Sequence, residues 1–180
     1  MSLEKDYPGH PALTGGSNTT LHSHAGGSGA DFKPYKVYDA IGNQEIDQTE
    51  RTVNLDTEEI ANANYSLASD AITIVAAGTY LISYTISIEQ LNTSGGTRSM
   101  SNYWIDSDDS GSYTEIKGSF LAIYGRETCI DEHGGNNATF LFVQSNPNKK
   151  IRIQSIQPNT SGTNVDTMAG RTSVSIVKVV

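Results

Sequence analysis

Residues 78–88 read Gly-Thr-Tyr-Leu-Ile-Ser-Tyr-Thr-Ile-Ser-Ile, and this stretch decides the fold. Apolar and polar side chains alternate along it, which is the period of a β-strand whose successive side chains point to opposite faces. The apolar face carries Tyr80, Ile82, Tyr84, Ile86 and Ile88. The opposite face carries Thr79, Ser83, Thr85 and Ser87. The pattern therefore predicts a long strand with one face in a core.

Further segments with strand composition follow on both sides of this stretch, separated by turn residues. They span residues 35–38, 71–75, 99–105, 113–117, 120–124, 138–144, 150–156 and 173–179. Short strands at hairpin spacing predict an antiparallel sandwich or barrel. We expect at most one helical turn, at residues 56–62, since that segment is too short for more.

Two of these segments, residues 120–124 and 138–143, are largely apolar on both faces. A strand of an antiparallel sandwich needs only one apolar face, so the second face must be covered. The cover is either another copy of the chain or loops folded over the sheet. The sequence favours another copy, because so small a chain has few loops to spare.

Residues 77–84 resemble the Gly-x-Tyr-x-Phe-x-Tyr/Ser strand of the complement globular-head and tumour-necrosis-factor superfamily. The spacing onward is similar, with a strand that carries Phe140 and Phe142, another at residues 149–153, and a closing strand at residues 173–180. The resemblance covers about residues 32–180. It implies an all-β fold, an antiparallel jelly-roll sandwich of about 8–10 strands that assembles as a homotrimer.

The first 31 residues differ from the rest. They hold three of the four histidines and many glycines, with almost no periodic apolar pattern. A segment of this composition cannot bury enough surface to fold alone. We therefore divide the chain into an extended Gly-rich anchoring arm, residues 1–31, and a jelly-roll domain, residues 32–180. Sister chains or a host particle are expected to hold the arm.

The arm carries a second resemblance. Residues 13–17, Leu-Thr-Gly-Gly-Ser, followed by residues 21–26, Leu-His-Ser-His-Ala-Gly, resemble the His-x-His segments of bacteriophage tail fibres, spikes and head fibres. The resemblance implies that His22 and His24 of three chains surround one transition metal ion per trimer, with iron favoured. Residues two apart on an extended chain point the same way, which suits this arrangement. The alternative is two solvated histidines in a linker.

Composition excludes several classes of partner. Twelve basic and 20 acidic residues give a net charge of −8, which argues against a nucleic-acid or anionic-membrane surface. No run reaches the roughly 18 apolar residues of a transmembrane helix, and the first residues lack a signal-peptide core. The single Cys129 excludes an intrachain disulfide framework. We expect neither nucleic acid nor membrane as a partner.

Three sequence features were weighed for chemistry. Cys129, with Asp131, Glu132 and His133 close behind, suggests a nucleophile and base, but such pairs normally come from separated elements, so we expect no enzyme. Residues 106–111 alternate oxygen ligands as calcium loops do, yet they lack a distal Glu at the right spacing and suit a plain hairpin turn. Trp104, flanked by Asn102 and Tyr103, is either part of a carbohydrate site or, as we expect, a core residue.

These observations predict a structural virion protein of a tailed bacteriophage. We expect a trimeric head fibre or capsid decoration, attached through its N-terminal arm to a capsid or other virion protein. Acidic, polar loops suit a surface that must stay soluble at high local concentration. The alternative is the receptor-binding tip of a tail fibre, which would recognise a host-surface glycan or protein. A ligand-binding module unconnected with phage is a third possibility.

Overall fold

The computed structural model describes residues 33–90, 98–126, 133–158 and 165–179. The predicted arm, residues 1–31, lies outside the described residues, and the predicted β-domain is described from Lys33 onward. Within these four ranges the chain forms strands and no α-helix. It therefore contains, in these ranges, no helix long and apolar enough to cross a membrane.

Fourteen strand segments are described, of which ten are four residues or longer. In chain order they are β1 Tyr35–Tyr38, β2 Glu45–Ile46, β3 Arg51–Thr52, β4 Thr57–Ile60, β5 Tyr65–Ala68, β6 Ala71–Ile74, β7 Gly78–Gln90, β8 Arg98–Ser107, β9 Thr114–Glu115, β10 Leu121–Arg126, β11 His133–Gln144, β12 Lys149–Ile156, β13 Val165–Thr167 and β14 Ser173–Lys178. The ten longer strands agree with the 8–10 that the sequence predicts.

The strands form two sheets. Sheet A follows the hydrogen-bonded path β2-β13-β7-β14-β1-β4, in which β13 and β14 pair with different parts of one edge of β7. β11 pairs with the opposite edge of β7 from Gly78 to Glu89. Sheet B has the order β10-β8-β12-β6-β5, with β3 on β12 and β9 on β8. All pairs are antiparallel, and neighbours in a sheet are mostly distant in the sequence. This is the antiparallel jelly-roll sandwich that was predicted.

The core lies between the two sheets, and β7 contributes its predicted face to it. Every member of that face is at most 2% exposed: Tyr80, Ile82, Tyr84, Ile86 and Ile88. Because a buried hydroxyl needs a partner, Tyr84 donates to the carbonyl oxygens of Ser119 and Tyr103, which belong to sheet B and the loop beside it. Burial raises the pKa of Tyr84, so this hydroxyl stays protonated and ties the sheets together.

Residues 56–62, the only candidate for a helical turn, contain β4 at the edge of sheet A instead. There it pairs with β1, with Tyr38 opposite Thr57. Tyr35 donates its hydroxyl to Glu58 Oε1 at 2.5 Å, which helps to hold the strand in place. Contacts with β1 thus override the weak local preference of an acidic segment.

The structure also changes the bounds of two other segments. The strand predicted at residues 113–117 shortens to Thr114–Glu115. No strand pattern in the sequence marks β5, which is joined to β6 by a tight turn at Ser69 and Asp70, both with positive φ (51° and 62°). Asp70 Oδ1 also accepts a hydrogen bond from the backbone N–H of Leu55 at 3.1 Å, which fixes the turn.

The sandwich has two distinct ends. At the arm end, the chain enters β1 beside Asn62, whose Nδ2 donates to the Lys33 carbonyl at 3.0 Å, and Val179 follows β14 with its N–H on the Thr79 carbonyl at 2.8 Å. We call the opposite end the far end. It contains the strand termini that flank residues 91–97, 127–132 and 159–164. These termini are Gln90, Arg98, Arg126, His133, Ile156 and Val165.

Candidate functional site

The outer face of sheet A carries a contiguous group of aliphatic side chains near the arm end. We call it the apolar patch: Leu81 on β7, Leu141 and Val143 on β11, and Val177 on β14. Leu81 lies directly opposite Leu141 on one side and Val177 on the other. Leu81, Leu141 and Val143 are 40%, 63% and 64% exposed in the single chain. Three adjacent strands thus present one apolar row to the outside.

The strand alternation dictates this exposure. Ile82, Phe142 and Ile176 point into the core, so Leu81, Leu141 and Val177 must point outward. The expectation that residues 138–143 are apolar on both faces is therefore confirmed.

The edge of sheet B that adjoins β11 is apolar as well. Phe120 and Tyr124 at β10 are 53% and 58% exposed, and Met100 lies opposite Tyr124 on β8. The β10 and β11 edges approach closely, because a Cβ at Gly134 would lie only 3.0 Å from Ile123 Cγ2. The second apolar face predicted for residues 120–124 is thus also confirmed.

The outer face of sheet A changes character from one end to the other. Its middle is polar, with Thr139 Oγ1 donating to Ser83 Oγ at 2.9 Å. Its far end carries the acidic row, defined as Glu45, Asp166 and Glu89 on the adjacent strands β2, β13 and β7. Burial, and then the charges of Glu45 and Glu89, raise the pKa of Asp166. The face therefore runs from aliphatic at the arm end to acidic at the far end.

Several of the residues singled out for chemistry in the sequence lie outside the described residues. This holds for the predicted metal ligands His22 and His24, and for Cys129 with Asp131 and Glu132. His133 is the exposed first residue of β11, opposite Glu89. Among the residues that the structure describes, no group of three or more His, Cys, Asp or Glu side chains is placed to hold a metal ion.

The acidic loop at residues 106–111 braces a neighbouring turn. Asp108 Oδ1 accepts from the Lys150 N–H at 2.6 Å, and Asp109 accepts from the N–H groups of Ser145 and Asn146 at 2.9 and 2.8 Å. Burial alone would raise the pKa of Asp109, but these hydrogen bonds outweigh it and lower that pKa. The Asp108 and Asp109 carboxylates thus accept backbone hydrogen bonds from the neighbouring turn, which agrees with the hairpin interpretation.

The expectation that Trp104 belongs to the core is wrong. Tyr103 is fully buried, whereas Trp104 is half-buried on the outer face of sheet B. Its Nε1–H donates to Asp106 Oδ1 at 2.9 Å, and Asp106 Oδ2 lies 3.4 Å from Arg152 Nη2. The Arg152 guanidinium carbon lies 3.8 Å from the centre of the Tyr113 ring. We call these four residues the Trp104 cluster.

Two surface depressions accompany these features. A pocket of about 90 Å³ opens between the sheet edges at the far end and is lined by Ile88, Gln90, Ser99, Tyr124, Gly125, His133 and Gly134. A shallower groove of about 340 Å³ crosses the outer face of sheet A and is lined by Lys36, Tyr38, Glu59, Gly170 and Ser173. In the groove Lys36 Nζ and Glu59 Oε2 form an ion pair at 2.6 Å, so its two charges compensate each other.

Comparison with known proteins identifies the fold. No family model and no curated protein matches the chain. The structure is similar to that of Eiger TNF from S. frugiperda, with a TM-score of 0.55 and 8% identity over 83% of this chain and 93% of that one. It is also similar to murine APRIL, with a TM-score of 0.50 and 9% identity over 81% of this chain and 98% of that one. The chain has a TNF-like jelly-roll fold, as its β7 sequence predicts.

Proposed function

We propose that this chain is a homotrimeric structural protein whose jelly rolls associate through the apolar patch. The outward-facing row of Leu81, Leu141 and Val177, in which Leu81 and Leu141 are exposed, carries the proposal. A contiguous aliphatic surface of this kind marks an interaction site in soluble proteins. Association would remove it from water, which is favourable by about 25 cal/mol per Å² of apolar area.

A second copy of the chain is the proposed cover for this patch. The edge formed by Phe120 and Tyr124 is itself apolar and lies on the neighbouring side of the molecule. Three chains arranged in a ring can each place this edge on the next chain's patch, so that both apolar surfaces are covered and the assembly closes. A closed ring of three leaves no apolar surface of either kind for further growth.

The two ends of the sandwich suggest how such a trimer is oriented. The arm joins the domain at Lys33, at the same end as the apolar patch, whereas the acidic row lies at the far end. Attachment through the arms would therefore place the far end outward. We propose that the arm binds a capsid or other virion protein and that the trimer projects as a head fibre or capsid decoration of a tailed bacteriophage. In this role the chain is located in the virion and has no catalytic activity.

The alternative role is the receptor-binding tip of a tail fibre that recognises a host-surface glycan or protein. Both roles use the same fold and symmetry. Immunogold labelling of virions distinguishes them: label on the capsid supports the head-fibre role, and label confined to the tail tip supports the alternative. Absence of label from all virion components overturns both.

The trimer itself is tested by multi-angle light scattering of the purified full chain. We expect three times the mass of one chain across a wide range of concentration. A monomer at all concentrations overturns the assembly proposal.

The arm is proposed to bind one transition metal ion per trimer through His22 and His24, with iron favoured. Imidazole ligands suit iron(II), nickel and zinc, so the coordination geometry must select among them. Elemental analysis of chelator-free protein should find one metal ion per three chains, and the His22→Ala/His24→Ala variant should have none. Metal-free wild type, or a variant that keeps its metal, contradicts the site.

A further inference from the structure

The outer face of sheet B presents aromatic rings among polar groups. Trp104 on β8 and Tyr113 just before β9 are both half-buried, so each keeps part of its ring at the surface. Arg152 on β12 lies directly opposite Asp106 on β8. Three segments that are distant in the sequence thus contribute to one surface, the Trp104 cluster.

The rings of this cluster are fixed by contacts within the protein. Asp106 accepts from the Trp104 indole N–H at 2.9 Å and from the Arg152 guanidinium at 3.4 Å. The guanidinium in turn lies 3.8 Å from the centre of the Tyr113 ring. A ligand that contacts these rings therefore has little side-chain freedom to remove, which favours binding.

Two amide side chains, Asn102 and Gln154, neighbour Trp104 in the register of sheet B. Asn102 precedes it on the same face of β8, and Gln154 lies opposite it on β12. Gln154 is held by Thr52 Oγ1 at 3.1 Å and Glu50 Oε1 at 3.2 Å. Asn102 Oδ1 and Arg152 Nε are two of the buried side-chain atoms that have no hydrogen-bond partner within the described residues. Because Asn102 Oδ1 is buried, the amide must turn toward the surface before a bound hydroxyl group can satisfy this oxygen.

We propose that the Trp104 cluster, together with Asn102, binds a neutral oligosaccharide. A pyranose ring has an apolar C–H face, which matches the accessible part of a half-buried aromatic ring. It also has a rim of hydroxyl groups, which matches amide and carboxylate groups beside that ring. This surface combines both features within one patch.

The local charge selects a neutral sugar over an anionic one. Asp106 already neutralises Arg152, and Glu115 lies directly opposite Asp106 on β9. Asp108 and Asp106 both raise the pKa of Tyr113, so their negative charge reaches the cluster; burial is the largest cause of that shift. Sialylated or sulfated sugars would therefore be repelled. A neutral oligosaccharide would be the ligand of the glycan-binding alternative proposed above, and the biological setting of the site rests on that alternative. The binding itself depends on sheet B alone.

Trp104 is the single tryptophan of the chain, so its fluorescence reports on this site directly. The purified full-length protein is titrated with short neutral oligosaccharides of glucose, galactose, mannose and N-acetylglucosamine, and with sialyllactose for contrast. We expect a saturable shift of the emission by at least one neutral oligosaccharide, with a Kd on the order of 1 mM or tighter. No saturable shift with any neutral sugar, or a shift with sialyllactose alone, overturns the proposal.

Variants locate the site by saturation-transfer NMR with the sugar that bound. Trp104→Ala should weaken binding at least tenfold, and Asn102→Ala should weaken it several-fold. Tyr38→Ala, which removes a half-buried aromatic ring from the outer face of sheet A, is the matched control and should bind as wild type. If Trp104→Ala does not fold, the Asn102→Ala result decides. Wild-type affinity in a folded Trp104→Ala variant contradicts the site. If Trp104→Ala is unfolded, wild-type affinity in Asn102→Ala contradicts it.

The oligomeric mass is measured on the same samples. A trimer that binds no neutral sugar overturns the sugar site and leaves the assembly proposal standing. A monomer that binds the sugar does the reverse.

Discussion

The outer faces of the two sheets differ in a way that indicates different roles. Near the arm end, sheet A exposes aliphatic side chains such as Leu81 and Leu141, which have no polar atoms. Sheet B carries the half-buried rings of Trp104 and Tyr113, which contact Asp106 and Arg152. Aliphatic burial is non-directional and suits a broad protein surface, whereas aromatic rings beside fixed polar groups suit a small ligand with defined hydroxyl positions. The sheet A face and the Phe120 and Tyr124 edge of sheet B can thus serve assembly, while the Trp104 cluster on sheet B serves recognition.

The largest expected effect is on assembly. Leu141→Asp places a charge in the middle of the apolar patch, where association would remove it from water, and we expect the trimer to dissociate to monomers. Ser66→Asp adds the same charge to an exposed position of sheet B and is the matched control. Light scattering should find a threefold drop in mass for the first variant only. An unchanged mass for Leu141→Asp, or a drop in both variants, would show that the patch is not the interface.

The next effect is on the stability of the protomer. Asp106→Ala removes the acceptor of both the Trp104 indole and the Arg152 guanidinium, and we expect a loss of about 1–3 kcal/mol in the free energy of unfolding. Urea denaturation measures it in the Leu141→Asp background, where unfolding is not coupled to dissociation.

Glu59→Ala is the control for this measurement. Its carboxylate forms an ion pair with Lys36 on the outer face of sheet A and is 49% exposed, so we expect a loss near zero. Equal losses in the two variants would mean that the Trp104 cluster is no more rigid than an ordinary surface ion pair.

Alternation in the sequence predicted a good part of this architecture. It placed residues 80–88 of β7 with the correct face inward, and it indicated that residues 138–143 are apolar on both sides. The same alternation predicts the outward position of Trp104. Because Tyr103 and Ile105 point into the core, the residue between them must point outward. The general tendency of a lone tryptophan in a strand to lie in the core predicts the opposite, and the alternation outweighs that tendency here.

Other features had no local signal in the sequence. β4 contains Glu58 and Glu59 and lacks alternation, and it is a strand because it pairs with β1. The Trp104 cluster depends on Arg152 lying opposite Asp106, 46 residues away in the sequence. The acidic row likewise requires the β2-β13-β7 order. Such sites arise from strand order, which a single sequence does not specify.

The smallest expected effect concerns the acidic row at the far end of sheet A. Asp166 has a pKa raised above its ordinary 3.8 in the folded chain, by burial and by Glu45 and Glu89. The folded state therefore binds a proton more tightly than the unfolded state, and ionisation of this group lowers stability as the pH rises above 3.8. We expect Asp166→Asn to be more stable than wild type at pH 7, by about 0.5 kcal/mol because the site is partly exposed and screened. The gain should vanish below pH 3.8.

Asp47→Asn is the matched variant of opposite sign. The Arg51 side chain, followed by the Thr49 backbone N–H, lowers the pKa of Asp47 to about 2. Its ionised form therefore stabilises the fold at neutral pH, and that contribution is lost as the pH falls from 3.8 towards 2. Urea denaturation between pH 3 and 7, again in the Leu141→Asp background, should give a gain for Asp166→Asn that grows with pH and a loss for Asp47→Asn. A gain for Asp166→Asn that does not change with pH would mean that ionisation of Asp166 is not its cause. The acidic row would then carry no electrostatic cost to the stability of the fold.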